Sequence, residues 1–155
     1  MILVDSSVWI SFLNGVNTAE AAFLAVCIAE DRPLIIPGLV RTEVLLGART
    51  EAEALRMSQS LSAYPLVPEP TPTDYERAAA IYRTCRARGF TIRSAIDCLI
   101  AQLCLRDDYE LLAKDRDFDA ISRAFPLRRA PTRLMVHEPG GAYGPSSGTA
   151  ARTEP

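Results

Sequence analysis

The chain has 155 residues with 17 basic and 19 acidic side chains, a formal charge of −2. That length accommodates one domain with a full-sized core, and 48% hydrophobic with 23% charged residues is the balance of an ordinary globular chain. No apolar run approaches the roughly 18 residues of a membrane helix. Ile2-Leu3-Val4 is cut short by Asp5 with no basic residue before it, unlike a signal peptide, so a cytoplasmic protein with no membrane association is expected.

In chain order, residues 1–4 form a buried strand. Asp5-Ser6-Ser7 caps a short apolar helix carrying Val8, Ile10, Phe12 and Leu13, which Asn14-Gly15 stops. Residues 19–30 have helical spacing. Leu34-Ile35-Ile36, bracketed by Pro33 and Pro37, is a second strand. Residues 39–48 and 51–63 are helical, and Leu66-Val67 is a weak strand. The connector Pro68-Glu69-Pro70-Thr71-Pro72 leads to a helix capped by Thr73 or Asp74 and ended by Gly89. Residues 94–105 make the most apolar helix, 110–113 a strand, 117–123 a short helix and Leu134-Met135-Val136 a last strand. Alternating strands and helices predict an α/β layered fold with a mainly parallel sheet. From Pro139 onward Gly, Pro, Ser, Thr and Ala dominate, so the expected division is a domain over 1–138 and a disordered tail over 139–155.

Cys27, Cys85, Cys98 and Cys104 form no C-x-x-C pair, and a buried core role is expected for at least three of them. His137 is the one histidine, which argues against His-dependent triads and His-rich metal sites. Lys114 is the one lysine; codon bias is the first explanation for the excess of arginine and phosphate binding the second, and composition does not separate them. The chemistry falls to carboxylates.

Four acidic positions stand out. Asp5 follows the first strand, and Asp115 follows the strand at 110–113 with Asp117 two residues on. Sites form at the carboxyl ends of parallel strands, so Asp5 and Asp115 converge if those strands are neighbours. Asp97 opens a helix that is apolar nearly all round, where an unpartnered carboxylate is costly. A capping box, with Asp97 reaching back to the Ser94 amide, is the structural explanation for it. Glu43 shares a helical face with Leu39, Val40 and Leu46; the alternative is a surface glutamate at the edge of that face. Like charges gathered in one cleft repel unless a cation neutralises them, and no Lys or His cluster is present to do so. A hard divalent ion with oxygen ligands, Mg²⁺ or Mn²⁺, meets that need and can activate water against a phosphodiester.

Val4-Asp5-Ser6-Ser7-Val8-Trp9-Ile10, Thr42-Glu43-Val44-Leu45-Leu46-Gly47, Ser94-Ala95-Ile96-Asp97-Cys98-Leu99-Ile100-Ala101 and Lys114-Asp115-Arg116-Asp117-Phe118 resemble the four acidic motifs of PIN-domain ribonucleases. Within these the pattern is similar to the VapC-type toxins of bacterial toxin–antitoxin modules. The resemblance runs in order over residues 1 to about 137, and no acidic position is missing. It implies a PIN-like three-layer α/β fold with a central mainly parallel sheet flanked by helices. It also implies a catalytic and metal site of Asp5, Glu43, Asp97 and Asp115, with Asp117 as an additional or water-mediated ligand. Ser7 matches a small polar position lining that site. A Mg²⁺- or Mn²⁺-dependent endoribonuclease follows, a homodimer cutting structured transfer or ribosomal RNA, neutralised by a cognate VapB-type antitoxin.

Without the five carboxylates the remaining charge is −2 + 5 = +3, and Arg86, Arg88, Arg93 and Arg116 flank the acidic motifs as candidate RNA contacts. Trp9 and Phe118 are candidates for base stacking, with core packing as the alternative. Leu39, Val40, Leu46, Leu55 and Leu61 offer apolar surface beside Glu43 for an antitoxin helix. Two other readings are open: a phosphatase or receiver domain, which also clusters Asp at strand ends, and a PIN-like binding module without catalysis. The phosphatase needs a D-x-D, where this chain has Asp5 followed two positions on by Ser7.

Overall fold

The structure, a computed structural model, describes residues 1–132. Three short apolar segments make the sheet: β1 (Ile2–Val4), β2 (Leu34–Ile35) and β3 (Glu110–Leu112), all parallel in the order β2-β1-β3. Leu3 pairs with Ile35 on one side and Leu111 on the other. The central strand is buried at all three positions, as expected of a parallel strand covered on both faces. Single parallel bridges, Ile36 to Leu66 and Leu111 to Arg129, extend pairing beyond both edges. The weak strand expected at Leu66-Val67 is therefore one bridge. The strand expected at Leu134-Met135-Val136 and the tail boundary at 138/139 lie outside the described residues.

Among the described residues seven helices connect these pieces: α1 (Ser6–Leu13), α2 (Ala19–Ala29), α3 (Gly38–Leu46), α4 (Glu51–Leu61), α5 (Pro72–Ala87), α6 (Ala95–Asp107) and α7 (Asp117–Ala124). Their starts follow from side-chain caps: Thr18, Thr50 and Ser94 accept amide hydrogens of the first turns of α2, α4 and α6. Helix α5 begins earlier than expected. Thr71 is its cap, Pro72 takes the first position, where no amide is needed, and Asp74 is the third residue of a full capping box. Gly89, at φ 79°, carries the chain out of α5 in a conformation that a side chain would resist.

Helix α1 packs on α2 and α3, and α3 on α4; α5, α6 and α7 pack on one another as a second group. Leu3, Val4, Val8, Leu24, Ile100 and Leu111 are among the side chains sealed between these layers. All four cysteines are buried and unpaired, and burial raises the pKa of each thiol. Trp9 and Phe118 are also fully buried, Trp9 lying 4.9 Å from the Tyr64 ring. The core alternative holds for both, and neither presents a face to a base.

Candidate acidic metal centre

Because β1 and β3 are parallel neighbours, the residues that follow them emerge at the same edge of the sheet. The Asp5 amide donates to the Leu112 carbonyl at 2.9 Å, so the first acidic position is fastened to the end of the strand that leads to Asp115. Asp5 caps α1: its Oδ2 accepts the Ser7 amide at 3.0 Å and the Ser7 hydroxyl. The side chain is buried, and Oδ1 has no hydrogen-bond partner among the described residues. Ser7 Oγ in turn accepts the Lys114 amide at 3.3 Å, and Lys114 Nζ donates to Ser11 Oγ at 2.9 Å. Ser7 thus ties the first acidic motif to the last. Ser11 is a participant the sequence reading missed, although its i+4 spacing from Ser7 on α1 put it on the same face.

Asp97 is the third residue of α6. Ser94 Oγ accepts the amides of Ile96 (3.1 Å) and Asp97 (3.4 Å), but the reciprocal half of a capping box, from Asp97 back to the Ser94 amide, is absent among the described residues. The box therefore does not account for Asp97. Its carboxylate turns to the loop after β3, where one oxygen each of Asp97, Asp115 and Asp117 lie within 4.8 Å of one another. Desolvation foremost, then the charges of Asp5, Asp115, Asp117 and Glu43, push Asp97 up to about 7. Asp97, Asp115 and Asp117 are the acids brought together among the described residues; Asp5 and Glu43 stand outside that trio and bear on Asp97 through their charge. Glu43, half-buried on α3, enters from the other helical group and forms no ion pair among the described residues.

Asp115 and Asp117 are held by Arg93. Its amide donates to Asp117 Oδ2 at 2.7 Å, its Nε to Asp117 Oδ1 at 3.2 Å, and its guanidinium to Asp115 Oδ1 at 2.7 Å. The Asp117 amide also donates to Asp115 Oδ1 at 2.9 Å. The sequence reading found no cluster of Lys or His to neutralise the acids; an arginine already does part of that work. Arg93 was expected at an RNA-facing rim, and the structure places its side chain on the acids instead. Of the other arginines, Arg86 and Arg116 are exposed, and Arg88 donates to the Ala124 carbonyl at 3.1 Å.

The donor set is all oxygen, carries several negative charges and, among the described residues, includes unpartnered carboxylate oxygens on Asp5, Asp97 and Asp115. This fits a hard divalent cation such as Mg²⁺ or Mn²⁺ and suits neither zinc nor copper. Beside it, the apolar surface expected for a partner helix is smaller than the sequence suggested. Val40 and Leu61 are wholly buried in the chain's own core, whereas Leu39, Leu46 and Leu55 are exposed, Leu46 at 79%.

The PIN domain family profile matches residues 2–124. VapC ribonuclease Mb1587 of Mycobacterium bovis is 31% identical over 134 residues, covering 86% of this chain and all of that protein. Ribonuclease VapC11 of Mycobacterium tuberculosis matches over the same span at the same identity. Among solved structures, FitAcB from Neisseria gonorrhoeae superposes with a TM-score of 0.62 at 19% identity, over 85% of this chain and 98% of that one. VapC20 of Mycobacterium tuberculosis, described as a Sarcin-Ricin loop cleaving toxin, gives 0.56 at 18% identity over 77% and 94%. These likenesses agree with the parallel sheet flanked by helices, and they favour neither a phosphatase nor a receiver. The chain belongs to the PIN domain family, among its VapC-type ribonucleases.

Proposed function

We propose that this chain is a Mg²⁺- or Mn²⁺-dependent endoribonuclease toxin of a type II toxin–antitoxin pair, cutting structured transfer or ribosomal RNA and so inhibiting translation. The carrying observation is the convergence of Asp97, Asp115 and Asp117 within 4.8 Å, with Asp5 and Glu43 in Coulombic reach of Asp97. In this reading Asp5, Glu43, Asp97 and Asp115 hold the cation and Asp117 supports it directly or through water. A bound divalent ion supplies charge stabilisation for the phosphodiester transition state and a more acidic water. The residues of the chain do the positioning. Ser7 holds Asp5 through Oδ2, which leaves Oδ1 without a hydrogen-bond partner among the described residues, and the half-cap at Ser94 sets Asp97 at the start of α6. Arg86, Arg88 and Arg116 are proposed as phosphate contacts around it.

A cognate VapB-type antitoxin is proposed to lay an apolar helix against Leu39, Leu46 and Leu55, with a basic residue reaching the carboxylates. A homodimer in the cytoplasm completes the reading. Among the described residues no helix is long and apolar enough to cross a membrane. The test is incubation of purified protein with transfer and ribosomal RNA in Mg²⁺ or Mn²⁺. Wild type yields discrete internal fragments, and Asp5→Asn yields at least about 100-fold less in the same time, the size typical of losing a transition-state charge stabiliser. Equal cleavage by both proteins would remove Asp5 from the site.

A further inference from the structure

Arg93 stands apart from the other candidate RNA contacts. Among the described residues it is the one cation ion-paired with any of the five clustered acids. It also addresses them in two chemically separate ways. The main-chain N–H bonds Asp117 Oδ2 and cannot leave without unfolding the loop before α6. The guanidinium spans Asp117 Oδ1 and Asp115 Oδ1, and the Arg93 side chain is 67% exposed, so it is free to swing into solvent. The side chain neutralises two of the carboxylates that a divalent cation would need, whereas the main chain only orients one of them.

We infer that Arg93 is the resident counter-ion of the metal-free site: its guanidinium holds the place of the divalent cation and must be displaced for the cation to enter, while its amide keeps Asp117 aimed. This rests on the metal reading proposed above. A planar fork suits two carboxylates held side by side. A divalent cation concentrates twice the charge in a smaller volume and can engage Asp97 and Asp5 as well, so it wins once its concentration is sufficient. The consequence is a threshold for loading, set by a residue that is not itself a ligand. In the metal-free state the cluster stays folded because one positive charge is already in place.

The experiment is a Mn²⁺ titration followed by electron paramagnetic resonance of the free ion, with melting curves before and after addition, on wild type, Arg93→Met and Arg93→Lys. Arg93→Met is expected to bind Mn²⁺ about fivefold more tightly, the size of an exposed ion pair removed. Its metal-free form should melt about 3 °C lower and gain more than wild type on adding Mn²⁺. Arg93→Lys keeps one charge without the fork and is expected to gain affinity by a smaller factor, which decides the matter if the Met variant does not fold. Unchanged or weaker Mn²⁺ binding in the variant that folds would overturn the inference, since Arg93 would then be building the site rather than competing for it. Failure of wild type itself to bind Mn²⁺ would overturn the metal reading and this inference together.

Discussion

Two opposing demands meet at Asp97. The first turn of α6 favours a negative charge through the helix dipole, while burial and four surrounding acids oppose it and carry its pKa up to about 7. The sign of the consequence follows from linkage. An unfolded aspartate releases its proton near pH 4, but folded Asp97 keeps it until about 7, so the native state binds more protons across that window. Stability of the metal-free protein therefore falls as pH rises from about 4 to 7 and stays lower above it. Asp97→Asn removes both the charge and this dependence. Its metal-free form is expected to melt above wild type at pH 8 and nearly level with it at pH 5, while RNA cleavage falls by at least about 100-fold. A melting difference independent of pH would show that Asp97 is not strained by its neighbours.

Between elements, the strongest polar tie lies away from the proposed chemistry. Asp74, buried in the first turn of α5, accepts from the Thr71 amide and hydroxyl, from Gln102 Nε2 at 3.1 Å and from the Arg106 guanidinium at 2.9 Å. The Thr71 amide above all, with Gln102, the Thr71 hydroxyl and Arg106 adding to it, holds this carboxyl well below the usual range. It therefore remains ionised and locks α5 to α6, and the stability it contributes is present above about pH 4 and is lost as acid protonates it. Because α6 also carries Asp97, this lock sets the frame in which the acids meet. Asp74→Ala strands Gln102 and part of Arg106 in a buried setting. Its melting temperature is expected to drop by about 6 °C or more, with Mn²⁺ affinity at low temperature within about twofold of wild type. A loss of Mn²⁺ affinity without loss of stability would give Asp74 a direct part in the site.

For the molecule as a whole, the acidic residues and the parallel sheet were legible in the sequence through the pattern of apolar residues. A buried parallel strand shows in a linear reading as an unbroken apolar run, and a carboxylate on an apolar helix shows as a break in one. Asp5 and Asp115 could be paired because strand ends converge in parallel sheets, and the β1–β3 register bears that out. What stayed hidden depends on side-chain direction. Arg93 reads as one flanking arginine among several, and nothing in its spacing says that it folds back onto Asp115 and Asp117. Val40 and Leu61 share an apolar pattern with Leu46, and only packing separates the buried pair from the exposed one. The start of α5 was misplaced because Asp74 looks like a cap when it is the third residue of a capping box begun by Thr71.

These carboxylates are proposed to act on RNA through a divalent cation. The most direct measurement is the initial rate of RNA cleavage by protein stripped with EDTA, then resupplied with Mg²⁺ or Mn²⁺ in increasing amounts. Cleavage is expected at background in EDTA, with recovery that saturates with either ion, because an acid cluster only partly neutralised by Arg93 repels the phosphate it must approach. Full cleavage in excess EDTA, abolished neither by stripping nor by Asp97→Asn, would contradict it.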